Sequence, residues 1–99
     1  MKLDEALAIL RSNFPSLQQK FGVATISIFG SVARNEAGPE SDIDILVEYL
    51  PGKEGGYFSF AQLQRELEQM LNCRVDLATL AALRRELKDD ILREAIRAA

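Results

Sequence analysis

The chain has 99 residues, of which 47% are hydrophobic and 27% charged, with a formal net charge of -3 and a single cysteine, Cys73. That is one small domain, residues 1–99, able to bury its own core. It excludes an internal disulfide and argues against strong general binding to nucleic acid, which needs many cationic phosphate contacts.

No apolar run approaches the ~20 residues of a membrane helix. The opening Met1-Lys2-Leu3-Asp4-Glu5 is charged where a signal peptide is apolar, so a cytoplasmic protein without a membrane partner is expected. The chain has no histidine. Proton transfer and metal ligation therefore fall to carboxylates, water or other groups. Leu3, Leu7, Leu10, Phe14 and Leu17 recur at helical spacing and form the apolar stripe of a first helix. Pro15 lies inside the stripe and is expected to end that helix near Asn13 or to start a second turn. Val23 to Phe29 is short and β-branched, which suits a strand ended by Gly30-Ser31. A short helix is expected over Ser31 to Ala37, followed by a break at Gly38-Pro39. Ile43 to Val47 reads as a buried strand. Pro51 to Gly56 is a loop, and Phe60, Leu63, Leu67, Met70 and Leu71 mark the next helix. Arg74 to Ala78 reads as a third strand. Thr79 is placed to cap a last helix, with Leu80, Leu83, Leu87, Ile91 and Ala95 carrying it to the C-terminus. The fold class is α/β (α+β), a small mixed sheet of about three to four strands packed against helices. The relative direction of the first two strands is left open. The leucine stripes serve as core or as a surface for a partner or a second copy.

The chemistry concentrates between Gly30 and Asp76. Strand side chains alternate faces, so Asp42 and Asp44 point the same way. Like charges on one face repel, and a divalent cation between them removes the cost. Magnesium prefers one or two carboxylates together with substrate phosphates. Asp76 is a carboxylate flanked by apolar residues, expensive to bury alone. If its strand lies beside Ile43 to Val47, the three aspartates can hold a pair of cations that clamp a phosphoryl or nucleotidyl transfer. Asp76 is also placed to accept a hydroxyl proton. Gly30 lets the backbone approach an anion closely, and a helix starting at Ser31 aims N–H groups at phosphates. Arg34 lies one turn on and can reach the same side, with Lys53 a weaker candidate for that task. Each of these residues has a plainer use as well: Asp42 as a turn residue, Gly30-Ser31 as a helix start, Arg34 and Lys53 as surface cations. The Arg84, Arg85, Lys88 and Arg93 group reads as a solvated face alternating with acids. Tyr57, Phe58 and Phe60 are explained by core packing as well as by a site.

Gly30-Ser31, then Asp42-Ile43-Asp44 at this spacing, with Asp76 on a later strand, resembles the polymerase-β nucleotidyltransferase superfamily. The fuller string Phe29-Gly30-Ser31-Val32-Ala33-Arg34 … Ser41-Asp42-Ile43-Asp44-Ile45-Leu46-Val47, and the ending Ile91-Leu92-Arg93-Glu94-Ala95, resemble its minimal nucleotidyltransferase branch. The resemblance implies magnesium ligation by Asp42, Asp44 and Asp76, and nucleotide binding by Gly30 and Ser31. It further implies an antitoxin that transfers AMP from ATP to a tyrosine of a cognate HEPN ribonuclease toxin. Two other readings stand beside it: an antitoxin that silences its toxin by binding alone, and a subunit of a small-molecule, aminoglycoside-like nucleotidyltransferase. Asn35 departs from the branch, which has glycine there. Asparagine tolerates left-handed backbone, so the turn is expected to survive.

Overall fold

A computed structural model of the chain describes residues 1–38 and 41–99. Pro39, and with it part of the expected break at Gly38-Pro39, lies outside the described residues. The elements are α1 (Leu3–Phe21), β1 (Val23–Phe29), α2 (Gly30–Ala33), β2 (Ile43–Tyr49), α3 (Gly56–Leu71), β3 (Val75–Thr79), α4 (Arg85–Glu94) and β4 (Ile96–Arg97), with a 3-10 turn over Leu80–Ala82. The strands form a 4-stranded sheet in the order β3-β2-β1-β4. β1 runs antiparallel to β2 and to β4, whereas β2 and β3 are parallel. The direction that the sequence left open is thus antiparallel.

The two faces of the sheet have different fates. Ile26 and Ile28 of β1, Ile43, Ile45 and Val47 of β2, and Val75 and Leu77 of β3 point to one face, buried beneath Leu7, Leu10 and Leu17 of α1 and Leu63, Leu67 and Leu71 of α3. Val23 joins them because the pairing with β2 slips between Val23 and Thr25, which resets the alternation of β1. Among the described residues, no charged or polar side chain is buried in this core. The opposite face carries Ser27 and Phe29, Asp44 and Glu48, and Asp76. It is only partly roofed, by α2 and the 3-10 turn, with α4 packed on α2.

Three expectations about helices need correction. α1 does not stop near Asn13 but runs through Pro15 to Phe21. Leu10 and Leu17, on either side of the proline, are 0% and 1% exposed. Burying both is worth roughly 3–6 kcal/mol, which outweighs the ~3 kcal/mol that an internal proline costs. Pro15 itself faces solvent. α2 is shorter than Ser31 to Ala37 because Asn35 adopts φ 60° and turns the chain. That is the left-handed conformation for which asparagine is a fair substitute for glycine.

The C-terminal segment differs most. Thr79 does cap a helical turn, accepting from the Ala82 N–H at 3.2 Å, but only the 3-10 turn. Leu83 and Arg84 then return to extended backbone, and α4 begins at Arg85. It ends at Glu94, because Ala95 is again extended and leads into β4. That strand covers the free edge of β1, with Ile96 opposite Ile28 and Arg97 opposite Ser27. Beyond it the Ala98 N–H donates to the Ile26 carbonyl at 2.8 Å, and the Ile26 N–H donates to the Ala99 carbonyl at 3.0 Å. An exposed edge would leave those groups unpaired. Among the described residues, no helix is long and apolar enough to cross a membrane.

Replacing Pro15 by alanine restores the N–H bonded to the Arg11 carbonyl and removes the ring clash with it. After allowing for the more flexible unfolded chain, Pro15→Ala is expected to stabilise the protein by about 2 kcal/mol. Denaturant titration checks this, and a loss of stability would show that α1 depends on the proline.

Candidate active site

β1 ends at Phe29, which pairs with Asp44 across the antiparallel ladder. The chain then turns at Gly30 with φ 75°, a conformation that side-chain-bearing residues rarely adopt. Gly30 is also buried, and a Cβ built on it would lie 2.9 Å from Cγ of Asp44. The absent side chain is the space that the Asp44 carboxylate occupies. On the other side of β2, parallel pairing puts Asp76 of β3 in register with Asp44. β3 is held there by α3: the Val75 N–H donates to Glu68 Oε2 at 3.1 Å, and the Val75 carbonyl accepts from Gln64 Nε2 at 2.9 Å. Asp42 lies just ahead of β2 and is exposed, as is Asp76, whereas Asp44 is half-buried.

The electrostatics follow from this placement. Burial, then the neighbouring Asp76 carboxylate, then Asp42 push the Asp44 carboxyl up to about 6, with Arg34 pulling weakly the other way. A carboxylate pushed up by two others and barely offset by a cation is a site of uncompensated negative charge. Among the described residues, no group of three or more acidic or sulfur side chains, the three aspartates included, is placed to hold a metal ion. Magnesium does not require such a group, because it commonly takes one or two carboxylates and completes its shell with water and substrate phosphates. The Asp44–Asp76 pair, with Asp42 at its edge, suits that kind of ligation.

The anion-binding half sits on the same corner. Ser31 is the second residue of α2, in the first turn, where N–H groups have no helical partner. Arg34 caps the C-terminal end of the same short helix, but it is not idle: Nη1 meets Glu94 Oε2 at 2.9 Å and Nε meets Glu36 Oε2 at 3.4 Å. Glu94 has a second contact, its Oε1 accepting from the Gly30 N–H at 2.9 Å. The Gly30 N–H and Arg34 hold the Glu94 carboxyl below the usual carboxylate range. Charge patterning puts Glu94 among the acids of a solvated face, and the resemblance of the Ile91–Ala95 string gives it no role. No local pattern separates it from its acidic neighbours on α4.

Other candidates fall away from this corner. The Lys53 side chain packs against Gly22, whose carbonyl accepts from the Leu50 N–H. It therefore lies at the end of the β1–β2 ladder opposite to Asp44, which removes it as a phosphate ligand. Tyr57 and Phe58 are 80% and 85% exposed, so core packing does not explain them; Phe60 alone packs on the core. A cleft of about 500 Å³ lies between Tyr49, Gly55, Phe60, Thr79 and Lys88. It is at the far end of β2 and β3 and contains none of the aspartates. Charge and geometry, rather than concavity, mark the site.

Comparison with known proteins gives the family and the fold. Residues 10–98 match the family model described as a nucleotidyltransferase domain. The chain is 36% identical over 98 residues to the protein adenylyltransferase MntA of Thermococcus cleftensis, covering 97% of this chain and 95% of that relative. It is 48% identical over 77 residues to a Methanocaldococcus jannaschii protein assigned the same activity, covering 78% of this chain and 81% of the relative. A solved structure described as a candidate minimal nucleotidyltransferase matches with a TM-score of 0.78 at 38% identity, over 97% of this chain and 95% of the other. The fold is also shared, at 19% identity and a TM-score of 0.66, with a complex of an AMPylated Shewanella oneidensis HEPN toxin and its MNT antitoxin, over 94% of this chain and 71% of that one.

Because the native Asp44 carboxyl titrates above its unfolded value, the folded chain binds more protons between about pH 4 and 6, and stability falls as pH rises through that window. Asp44→Asn is therefore expected to stabilise the metal-free protein at pH 7.5 by about 1 kcal/mol, allowing for solvent screening of a half-exposed group. The gain should vanish below pH 4. Urea titrations at the two pH values measure it, and a destabilised variant at pH 7.5 would show that Asp44 is not under like-charge strain.

Proposed function

This chain belongs to the nucleotidyltransferase domain family, and we propose from that membership that it is a magnesium-dependent protein adenylyltransferase acting as an antitoxin. The donor is ATP and the acceptor is a tyrosine hydroxyl on a cognate HEPN-type ribonuclease toxin. The relative from Thermococcus cleftensis, named a protein adenylyltransferase and matched over nearly its full length, supports the reaction class. The observation that carries the reading for this chain is Asp44, opposite Asp76 in register and packed against the Gly30-Ser31 turn.

In this reading the tyrosine oxygen attacks the α-phosphorus of ATP. One O–P bond forms, the bond from the α-phosphorus to the bridging oxygen breaks, and pyrophosphate leaves. Asp42, Asp44 and Asp76 would hold the magnesium, which when bound lowers the pKa of the attacking hydroxyl and neutralises the leaving pyrophosphate. Ser31 offers its N–H and hydroxyl to the phosphates. Gly30 lets that backbone come close, since any side chain there would meet Asp44. Arg34, whose side chain is 45% exposed, adds charge-assisted donors to the phosphates. Asp76, exposed on the open face, accepts the hydroxyl proton in a chain without histidine. The sheet face carrying the aspartates is open enough for an acceptor presented by another protein. A reaction consuming ATP on a ribonuclease belongs in the cytoplasm.

The test is transfer of label from α-labelled ATP to a HEPN partner in the presence of Mg2+. Asp42→Asn and Asp44→Asn should each lower labelling by ~10²-fold or more, the scale of losing several kcal/mol of transition-state stabilisation. Their folded stability should be retained. Normal labelling by both variants would contradict the metal assignment. A toxin neutralised equally well without labelling would favour an antitoxin that works by binding alone.

A further inference from the structure

We propose that Glu94 is a positioning residue for nucleotide transfer, one carboxylate that fixes both the Gly30 turn and the Arg34 guanidinium in the orientation that phosphates need. The inference rests on the adenylyltransferase reading and deepens it.

Its place is dictated by the sheet. The antiparallel ladder of β1 and β4 sets Arg97 opposite Ser27 and Ile96 opposite Ile28. Glu94 is the last residue of α4, just ahead of β4, and Gly30 follows the end of β1, so the paired strands bring the two close. The long side chain then spans two donors: Oε1 accepts from the Gly30 N–H at 2.9 Å, and Oε2 accepts from Arg34 Nη1 at 2.9 Å. Glu94 is more enclosed than its partner, with side-chain exposures of 28% against 45% for Arg34.

Two consequences follow. First, the Gly30 N–H is committed to Glu94, so the donors left facing a phosphate at the turn are those of Ser31. The turn is held at φ 75° by a partner outside its own loop. Second, guanidinium is a planar fork with five N–H donors. With Nη1 on Glu94 and Nε toward Glu36, Nη2 carries no protein partner among the described residues. Arg34 is thus presented with one edge tied down and the other available. Its side-chain entropy is lost before the nucleotide arrives, which favours binding. A carboxylate at this spot could instead compete with phosphate for the same donors. The two roles differ in sign: loss of a positioning group weakens nucleotide binding, and loss of a competitor strengthens it.

The test uses the full chain with its HEPN partner. The KM for ATP and kcat of label transfer are measured alongside the Kd for Mg2+ and a non-hydrolysable ATP analogue. Glu94→Gln cannot accept from both donors, and Glu94→Asp keeps the charge but is too short to span them. Both variants are expected to raise KM and Kd by about tenfold, the scale on which an orienting partner acts, with kcat changed far less. In an Arg34→Ala background most of that effect should disappear, because much of it passes through the guanidinium. Unchanged or tighter binding in both Glu94 variants, with wild-type transfer intact, would overturn this inference alone. So would an equally large effect with Arg34 already removed. A wild-type chain that neither binds the analogue nor labels the toxin would overturn the adenylyltransferase reading and this inference together.

Discussion

The molecule turns on one contact, the Asp44 carboxylate lodged where Gly30 has no side chain. Antiparallel pairing of Phe29 with Asp44 and parallel pairing of Asp44 with Asp76 leave that carboxylate few alternatives. It lies between a corner that accepts only glycine and a second acid held in register. Such an arrangement costs stability in the free protein, as the upward shift of Asp44 to about 6 records. Strain of this kind is commonly kept at functional sites, where a ligand relieves it.

The opposite face of the sheet supplies the rigidity. Ile43 and Ile45 flank Asp44 in sequence and are 1% and 0% exposed, so the pleat that buries them necessarily turns Asp44 the other way. A one-residue slip would send the isoleucines to solvent and the carboxylate into the core. The aspartate is therefore turned to its face by the packing of its neighbours against α1 and α3. The same logic reaches the C-terminus. Burial of Ala98, 6% exposed, and pairing of Ile96 with Ile28 fix the register that delivers Glu94 to the Gly30 turn.

Much of this was legible in the sequence because it is encoded locally. The bounds of β1 and the Gly30-Ser31 turn follow from residue type and short-range spacing, whereas the left-handed Asn35 rests on the resemblance to the minimal nucleotidyltransferase branch. What stayed hidden depends on contacts distant along the chain. Nothing near Ile96 announces a strand until the open edge of β1 is known, and a continuing leucine stripe suggested a longer helix. Glu94 resembles every other acid of α4 until that strand forms. Pro15 argued for a helix end, and burial of Leu10 and Leu17 overrode it. Lys53 looked suited to phosphate by its glycine-rich loop, yet the hairpin geometry carries it to the wrong end of the sheet.

The most direct measurement is anomalous diffraction from a crystal of the chain grown with Mn2+ and a non-hydrolysable ATP analogue. A cation peak between the Asp44 and Asp76 carboxylates, with the triphosphate resting on Ser31, is the expected result. A map with Asp76 turned away from Asp44 and no ion between them would contradict the central claim.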